Sequence, residues 1–212
     1  MKRFPRAAFT LIEMIVVIAV ILVLVGITIP IASYVNNRAA RTRAAGEISE
    51  MSTGLGSYQT DFGAYPQDVA TGSLDPRVDF NPIGGPSALR YRAACLSLYS
   101  ALSGDALPAG MPDGNPEKKG YIHFLPNRLK TTTPASGPMV VGYLKDPFGN
   151  PYGYSSVGAA EEVSYQLALQ NDAAAPRPNP PHGYNPTFDL WSTAGQTMSD
   201  GASKWVKNWP DL

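Results

Sequence analysis

Apolar positions along the chain fall into three patterns, and each predicts a different element. From Phe9 to Ile31 every residue except Thr10, Glu13, Gly26, Thr28 and Pro30 is apolar, and from Met14 to Asn37 there is no charge at all. Twenty-four residues of helix reach about 36 Å at 1.5 Å per residue, against a hydrocarbon layer of about 30 Å. That run predicts a membrane-spanning helix. The period then changes. Ile48, Met51, Leu55, Tyr58 and Phe62 recur at spacings of three, four, three and four, which is one face of a helix lying on a core. Gly54 and Gly56 weaken this helix locally, and the turn Gly63–Pro66 is expected to end it. A second stripe, Leu89, Ala93, Leu96, Tyr99 and Leu102, predicts a helix over Ser87–Ser103, with Ser87 as cap and Gly104 as stop. Beyond residue 120 the pattern shortens to strands: Tyr121–Leu125, Met139–Leu144, Tyr152–Val157, Val163–Leu169 and Phe188–Ser192. Gln67–Pro86, 105–120 and the Pro-rich Ala173–Pro186 read as loops. The sum is an α+β chain, a long N-terminal helix packed on a small, mainly antiparallel sheet.

Charge sharpens this picture at the N-terminus. The chain has 17 basic and 17 acidic residues, yet Lys2, Arg3 and Arg6 crowd the first six positions; without these three, 14 basic residues face the same 17 acidic ones, a net of −3. A basic leader stays cytoplasmic by the positive-inside bias, so everything after Asn37 is expected on the outer side. The balance argues against nonspecific nucleic-acid binding, which needs a clustered positive surface. Arg38, Arg41 and Arg43 follow the apolar run and read as a solvated face or a lipid-headgroup contact. A secretory signal peptide is a poor account of the run: its apolar core is usually about 7–15 residues, and no A-x-A site closes this one.

Glu13 is the informative residue. An acidic side chain at the centre of an apolar helix costs about 3 kcal/mol on insertion scales, and less near an interface. A plain anchor has no use for it. A chain cut between Ala8 and Phe9 does, because the new α-amino group of Phe9 is a cation without a partner. Glu13 of a neighbouring copy neutralises that amine inside a bundle of packed helices, and a misregistered copy leaves buried charge uncompensated.

The segment AFTLIEMIVVIAVILVLVGITIP resembles the class III signal of type IV pilins and pseudopilins. The resemblance implies that a prepilin peptidase cuts on the cytoplasmic side between Ala8 and Phe9 and methylates the new amine, with Glu13 fifth after the cut. The family usually has Gly where this chain has Ala8, and Pro30 matches a helix-interrupting proline common in it. It implies a leader 1–8, a membrane and assembly helix 9–37 and a pilin-like periplasmic domain 38–212. Further along, Tyr143-Leu-Lys-Asp146-Pro147-Phe148-Gly149-Asn150-Pro151-Tyr152, Phe188-Asp189-Leu190-Trp191-Ser192 and the ending Trp205-Val206-Lys207-Asn208-Trp209 are similar to the major pseudopilins of type II secretion. That likeness implies a subunit of a periplasmic pseudopilus. Its partners would be further copies of itself, minor pseudopilins and an inner-membrane secretion platform. In those pseudopilins the loop before the terminal tryptophan binds calcium. Here Ser192–Ala202 offers Asp200 alone, and Gln196 stands where a second acid is usual.

Enzymatic readings find little to stand on. His123 and His182 are the only histidines and lie far apart in sequence, and no H-E-x-x-H, nucleophile elbow or P-loop occurs. Glu161 and Glu162, in a strand or turn, would point apart. Cys95 is the single cysteine, expected as a buried structural thiol. Two rivals to the pseudopilus remain on sequence: a pilin or minor pilin of a surface type IV pilus, and a membrane-tethered binding module that never polymerises.

Overall fold

A helix with a polar first turn and an apolar body opens the structure. The computed structural model describes residues 9–105, 119–133 and 139–210, the side chains of 27–32 excepted. Helix α1 spans Leu11–Phe62, and its backbone assignment runs unbroken through Pro30. Gly63 ends it in the left-handed conformation (φ 77°), donating its N–H to Gln59 O at 2.8 Å, the glycine stop that the GAYP sequence predicts. The chain forms two compact units, Met1–Ala40 and Arg41–Leu212.

In the first unit the described side chains from Phe9 to Gly26 are exposed on all sides. Among the described residues no helix is long and apolar enough to cross a membrane. The side chains of 27–32, among them Ile27, Ile29 and Ile31 of the run, lie outside the described residues.

The second unit is built around the later turns of α1. Ile48, Met51 and Leu55 are buried there together with Cys95, Leu98, Tyr99 and Leu102 of α2 (Gly85–Ser103) and with Leu144, Tyr152, Tyr154 and Leu190. Each large apolar side chain so buried contributes about 1.5–3 kcal/mol. Tyr58 is half-buried and Phe62 is exposed, so the predicted stripe holds at its centre and runs out at its C-terminal end. Gly54 has a tertiary reason: a Cβ there would meet Ile122 Cδ1 at 2.9 Å and Leu102 Cδ2 at 3.1 Å.

Helix α2 is real but rotated from its predicted face. The buried residues are Ala88, Tyr91, Ala94, Cys95, Leu98, Tyr99 and Leu102, whereas Leu89 is 70% exposed and Ala93 is exposed. The helix carries apolar residues on two phases. The one that faces inward puts Tyr91 against Trp191 and Cys95 against the Leu144 backbone. Its N-cap is Gly84 rather than Ser87, whose hydroxyl donates instead to Asp79 Oδ1 at 2.7 Å. Gly104 closes the helix as expected, with φ 79°.

Among the described residues two small antiparallel sheets stand where one was expected. Strands β1 (Leu129–Thr132) and β2 (Val140–Leu144) form a ribbon. Strands β3 (Gly153–Ser155), β4 (Asp189–Ser192) and β5 (Val206–Lys207) form a sheet in that order, with β4 central and all four of its residues buried. Tyr121–Leu125 is not a strand. The amides of Tyr121 and Ile122 both donate to Leu102 O, at 2.7 and 3.0 Å, so this backbone satisfies the end of α2 instead of a ladder.

Val163–Leu169 is also not a strand but part of helix α3, Val157–Asn171. The alternation of Val163, Tyr165, Leu167 and Leu169 suggested a strand, but Gln166 and Ala168 between them and Glu161 and Glu162 before them are good helix formers. Gln166 Nε2 donates to Glu162 Oε1 one turn earlier at 2.7 Å. The helix buries only Gly158 and Ala159. The architecture is therefore α+β, with an N-terminal helix and small antiparallel sheets, and is compatible with a pilin-like fold.

Candidate assembly site

The start of α1 is a closed local circuit. Thr10 stands just before the first helical residue. Its backbone N–H and its hydroxyl both donate to Glu13 Oε2 at 2.8 Å, and the Glu13 N–H returns a bond to Thr10 Oγ1 at 3.3 Å. This is a capping box, in which residues three apart satisfy each other's free amides at a helix start. It places an anionic group at the positive end of the helix, where the summed peptide dipoles favour it. The Thr10-x-x-Glu13 spacing is legible in the sequence, but the charge of Glu13 masks the capping role of Thr10 there.

Around this polar turn everything is apolar and uncovered. Phe9 and Leu11 are each 77% exposed, and Ile12, Met14, Ile15 and Val16 follow suit. A helix apolar all round is stable only when surrounded by lipid or by other helices. Glu13 is thus one carboxylate at the head of a surface that water does not favour. Ala8, the expected residue before the cut, lies outside the described residues.

The second unit places the other expected residues elsewhere. Asp200 is exposed in a short 3-10 helix, Ser199–Lys204, and its carboxylate makes no hydrogen bond among the described residues. Its loop is folded on itself: Gln196 N donates to Thr193 O, and the Gln196 side chain packs over Gly201, where a Cβ would meet it at 2.7 Å. A hard cation needs six to eight oxygen ligands. One outward carboxylate beside a packed glutamine does not fit a calcium cage, and among the described residues no three His, Cys, Asp or Glu side chains converge on one point.

The polar residues of the second half hold the fold. Asp146 is 2% exposed; its Oδ1 accepts the N–H groups of Phe148 and Asn150, and its Oδ2 accepts the Ser192 hydroxyl at 2.5 Å. Burial raises its pKa despite those bonds. Asp189, 1% exposed, accepts the backbone amides of Tyr184 and Asn185 and the Asn185 side-chain amide; burial, with Asp75 nearby, pushes it up to about 6. Burial works against the Asp79 carboxylate too, but bonds from Arg90 and Ser87 outweigh it and hold the pKa low. Cys95 is fully buried and its thiol is pushed up to about 12, the inert state expected for it. His123 is exposed. His182 shares a 2.8 Å contact with Glu161, and Glu162 pairs with Arg177 at 3.0 Å, so the two adjacent acids of α3 have separate partners.

The decisive comparison concerns the first helix. The family model of the prokaryotic N-terminal methylation motif matches residues 3–29. The motif fits a type IV pilin-like substrate of prepilin peptidase and implies pilin-type assembly. It covers most of the expected leader, Phe9, the Thr10–Glu13 box and most of the apolar run. No curated protein and no solved structure matches the chain.

Proposed function

We propose that this chain is a structural subunit of a periplasmic pseudopilus of a type II secretion system. In this reading it is cut between Ala8 and Phe9, methylated on the new amine, and held in the inner membrane by one pass of α1 until assembly. The role is mechanical. Subunits are drawn from the membrane and stacked through their apolar helices into a filament that serves the export of folded proteins, and no residue turns over a substrate. The observation that carries this is the single carboxylate of Glu13, tied to Thr10 at the head of an apolar helix exposed on every side, within the matched methylation motif. The similarity of the 143–152, 188–192 and 205–209 segments to major pseudopilins supports a pseudopilus over a surface pilus.

Before assembly the box lowers the cost of keeping a charge at the membrane boundary. During assembly the same carboxylate is positioned to meet the Phe9 amine of an adjoining copy. Glu13→Leu is expected to insert in the membrane normally and to lose filament assembly in pelleting and crosslinking assays. Unchanged assembly would favour a tethered module that never polymerises. Mass spectrometry of the native membrane protein is expected to show a chain beginning at methylated Phe9; an intact Met1–Ala8 on the working form overturns the reading.

A further inference from the structure

Where β2 ends, the Asp146–Gly149 turn comes back beside α1 and borders an open pocket of about 430 Å³. Its lining includes Arg43, Glu47, Arg128, Lys145, Asp146 and Phe148. Three cations and two acids suggest near balance, but the acids are already engaged. Asp146 is buried, with both oxygens turned to Phe148, Asn150 and Ser192. Glu47 Oε2 accepts the Tyr152 hydroxyl at 2.7 Å and lies 3.7 Å from Arg128 Nε. Arg128 is engaged as well, through Glu50 at 2.7 Å and over the Phe124 ring at 5.3 Å.

Arg43 and Lys145 are different. Among the described residues neither side chain has a hydrogen bond, ion pair or ring contact, and both face this pocket. Glu47 and Asp146 line the same cavity but are engaged with other partners, so Arg43 and Lys145 share it without a direct ion pair, and an anion placed between them relieves their repulsion. A guanidinium and an ammonium together suit phosphate oxygens, the first as a two-pronged donor and the second as a point charge. Phe148, half-buried on the rim, adds an apolar surface beside the charged one. A free inorganic anion makes no use of that surface, but the glycerol and acyl ester next to a lipid phosphate do. Arg43 also lies in sequence twelve residues past Ile31, where the apolar run ends, and basic residues flanking a membrane segment are drawn to anionic headgroups.

We propose that this pocket is a phosphate-binding site for the phosphodiester of an acidic glycerophospholipid headgroup, held by Arg43 and Lys145 with Arg128 behind them. It rests on the reading of α1 as a membrane anchor. It gives the subunit a grip on the bilayer surface that must be released when the subunit leaves for the filament.

The test uses the full-length chain in vesicles of phosphatidylcholine alone or with phosphatidylglycerol, and in detergent for native mass spectrometry of retained lipid. The wild type is expected to retain phosphatidylglycerol over phosphatidylcholine, and Arg43→Ala with Lys145→Ala to lower that preference by about tenfold, in line with the pull of anionic surfaces on each basic residue. Arg43→Lys with Lys145→Arg, which keeps both charges, should restore most of it, separating lost charge from a damaged fold. Equal retention of the two lipids by the wild type overturns the proposal, as does an unchanged preference in the double alanine variant. Tight binding of inorganic phosphate without lipid preference assigns the pocket to a free anion and overturns the lipid source. Loss of copy-to-copy crosslinking in the alanine variant without phosphatidylglycerol present assigns it to an acidic surface of a second copy, and overturns the lipid source equally. A wild type that inserts in no vesicle sinks the anchor reading and this proposal with it, whereas insertion without lipid preference sinks the proposal alone.

Discussion

Single residues in this chain do their work through what they hydrogen-bond. Thr10 donates twice to Glu13 and accepts once from it, so Thr10→Val removes one donor to the carboxylate and the acceptor for the Glu13 amide. Losing such a cap opens the first turn more often. In micelles the Glu13 amide of the variant should therefore exchange its hydrogen about tenfold faster than in the wild type, and equal exchange would refute the box. Asp189 offers a different test. Its folded pKa stands near 6, above the usual carboxylate value, because burial penalises the charge. The fold binds that proton more tightly than the unfolded chain does, so the contribution is fully present in acid and is lost as pH rises through about 6. A carboxyl-carbon NMR titration should place the Asp189 midpoint near 6. The wild type should gain stability over Asp189→Asn as the pH falls from neutral through that midpoint.

At the scale of elements, glycine marks where strands and helices touch. A Cβ on Gly153 of β3 would fall 2.1 Å from Trp191 Cε2 on β4. That ring is stacked on Trp205 at 5.9 Å and edge-on to Tyr91 at 5.6 Å, so it has nowhere to retreat. Gly153→Ala is expected to cost at least about 1–3 kcal/mol, the usual range for forcing extra volume into a packed core. Gly46 of α1 has nothing within 4 Å of its would-be Cβ, and Gly46→Ala should instead stabilise by up to about 1 kcal/mol. Urea unfolding followed by tryptophan fluorescence reads both, and shifts of the same sign would contradict this packing. Helix α3 belongs to this scale too. Its apolar alternation fits a strand, but the helix is sustained by its own propensity and by pairs one turn apart, with its body outside the core.

At the largest scale, the second unit is closed by its segment 205–209. Trp209 stacks on Tyr184 at 4.7 Å and meets Trp191 edge-on at 5.7 Å, while Arg77 lies over the Tyr184 ring at 4.1 Å. Asn208 accepts the Leu190 amide and donates to Phe188 O, fixing the tail beside β4. Trp209 is 6% exposed, and Trp209→Ala is expected to cost about 3–5 kcal/mol, as for other buried aromatics. The melting temperature should fall by several degrees; an unchanged value would mean that the ending is decoration. Arg41 also donates to Lys204 O at 2.5 Å, so the first turns of this unit are bound to its last.

The sequence by itself determined the first helix, its polar head, the glycine stops at Gly63 and Gly104, and the α+β class. These depend on interactions within a few residues: apolar run length, the lone charge of Glu13 at its head, and the ease with which glycine takes a positive φ. The buried core of α1 at Ile48, Met51 and Leu55 was legible for the same reason, since a helical period states its own face. Only the tertiary structure decided which of the two apolar phases of α2 turned inward, that the Tyr121–Leu125 backbone went to the end of α2, and that Arg43 came to share a pocket with Lys145. Each of these compares partners brought together from distant parts of the chain, and no local pattern records the energy of a contact that exists only once the chain has closed.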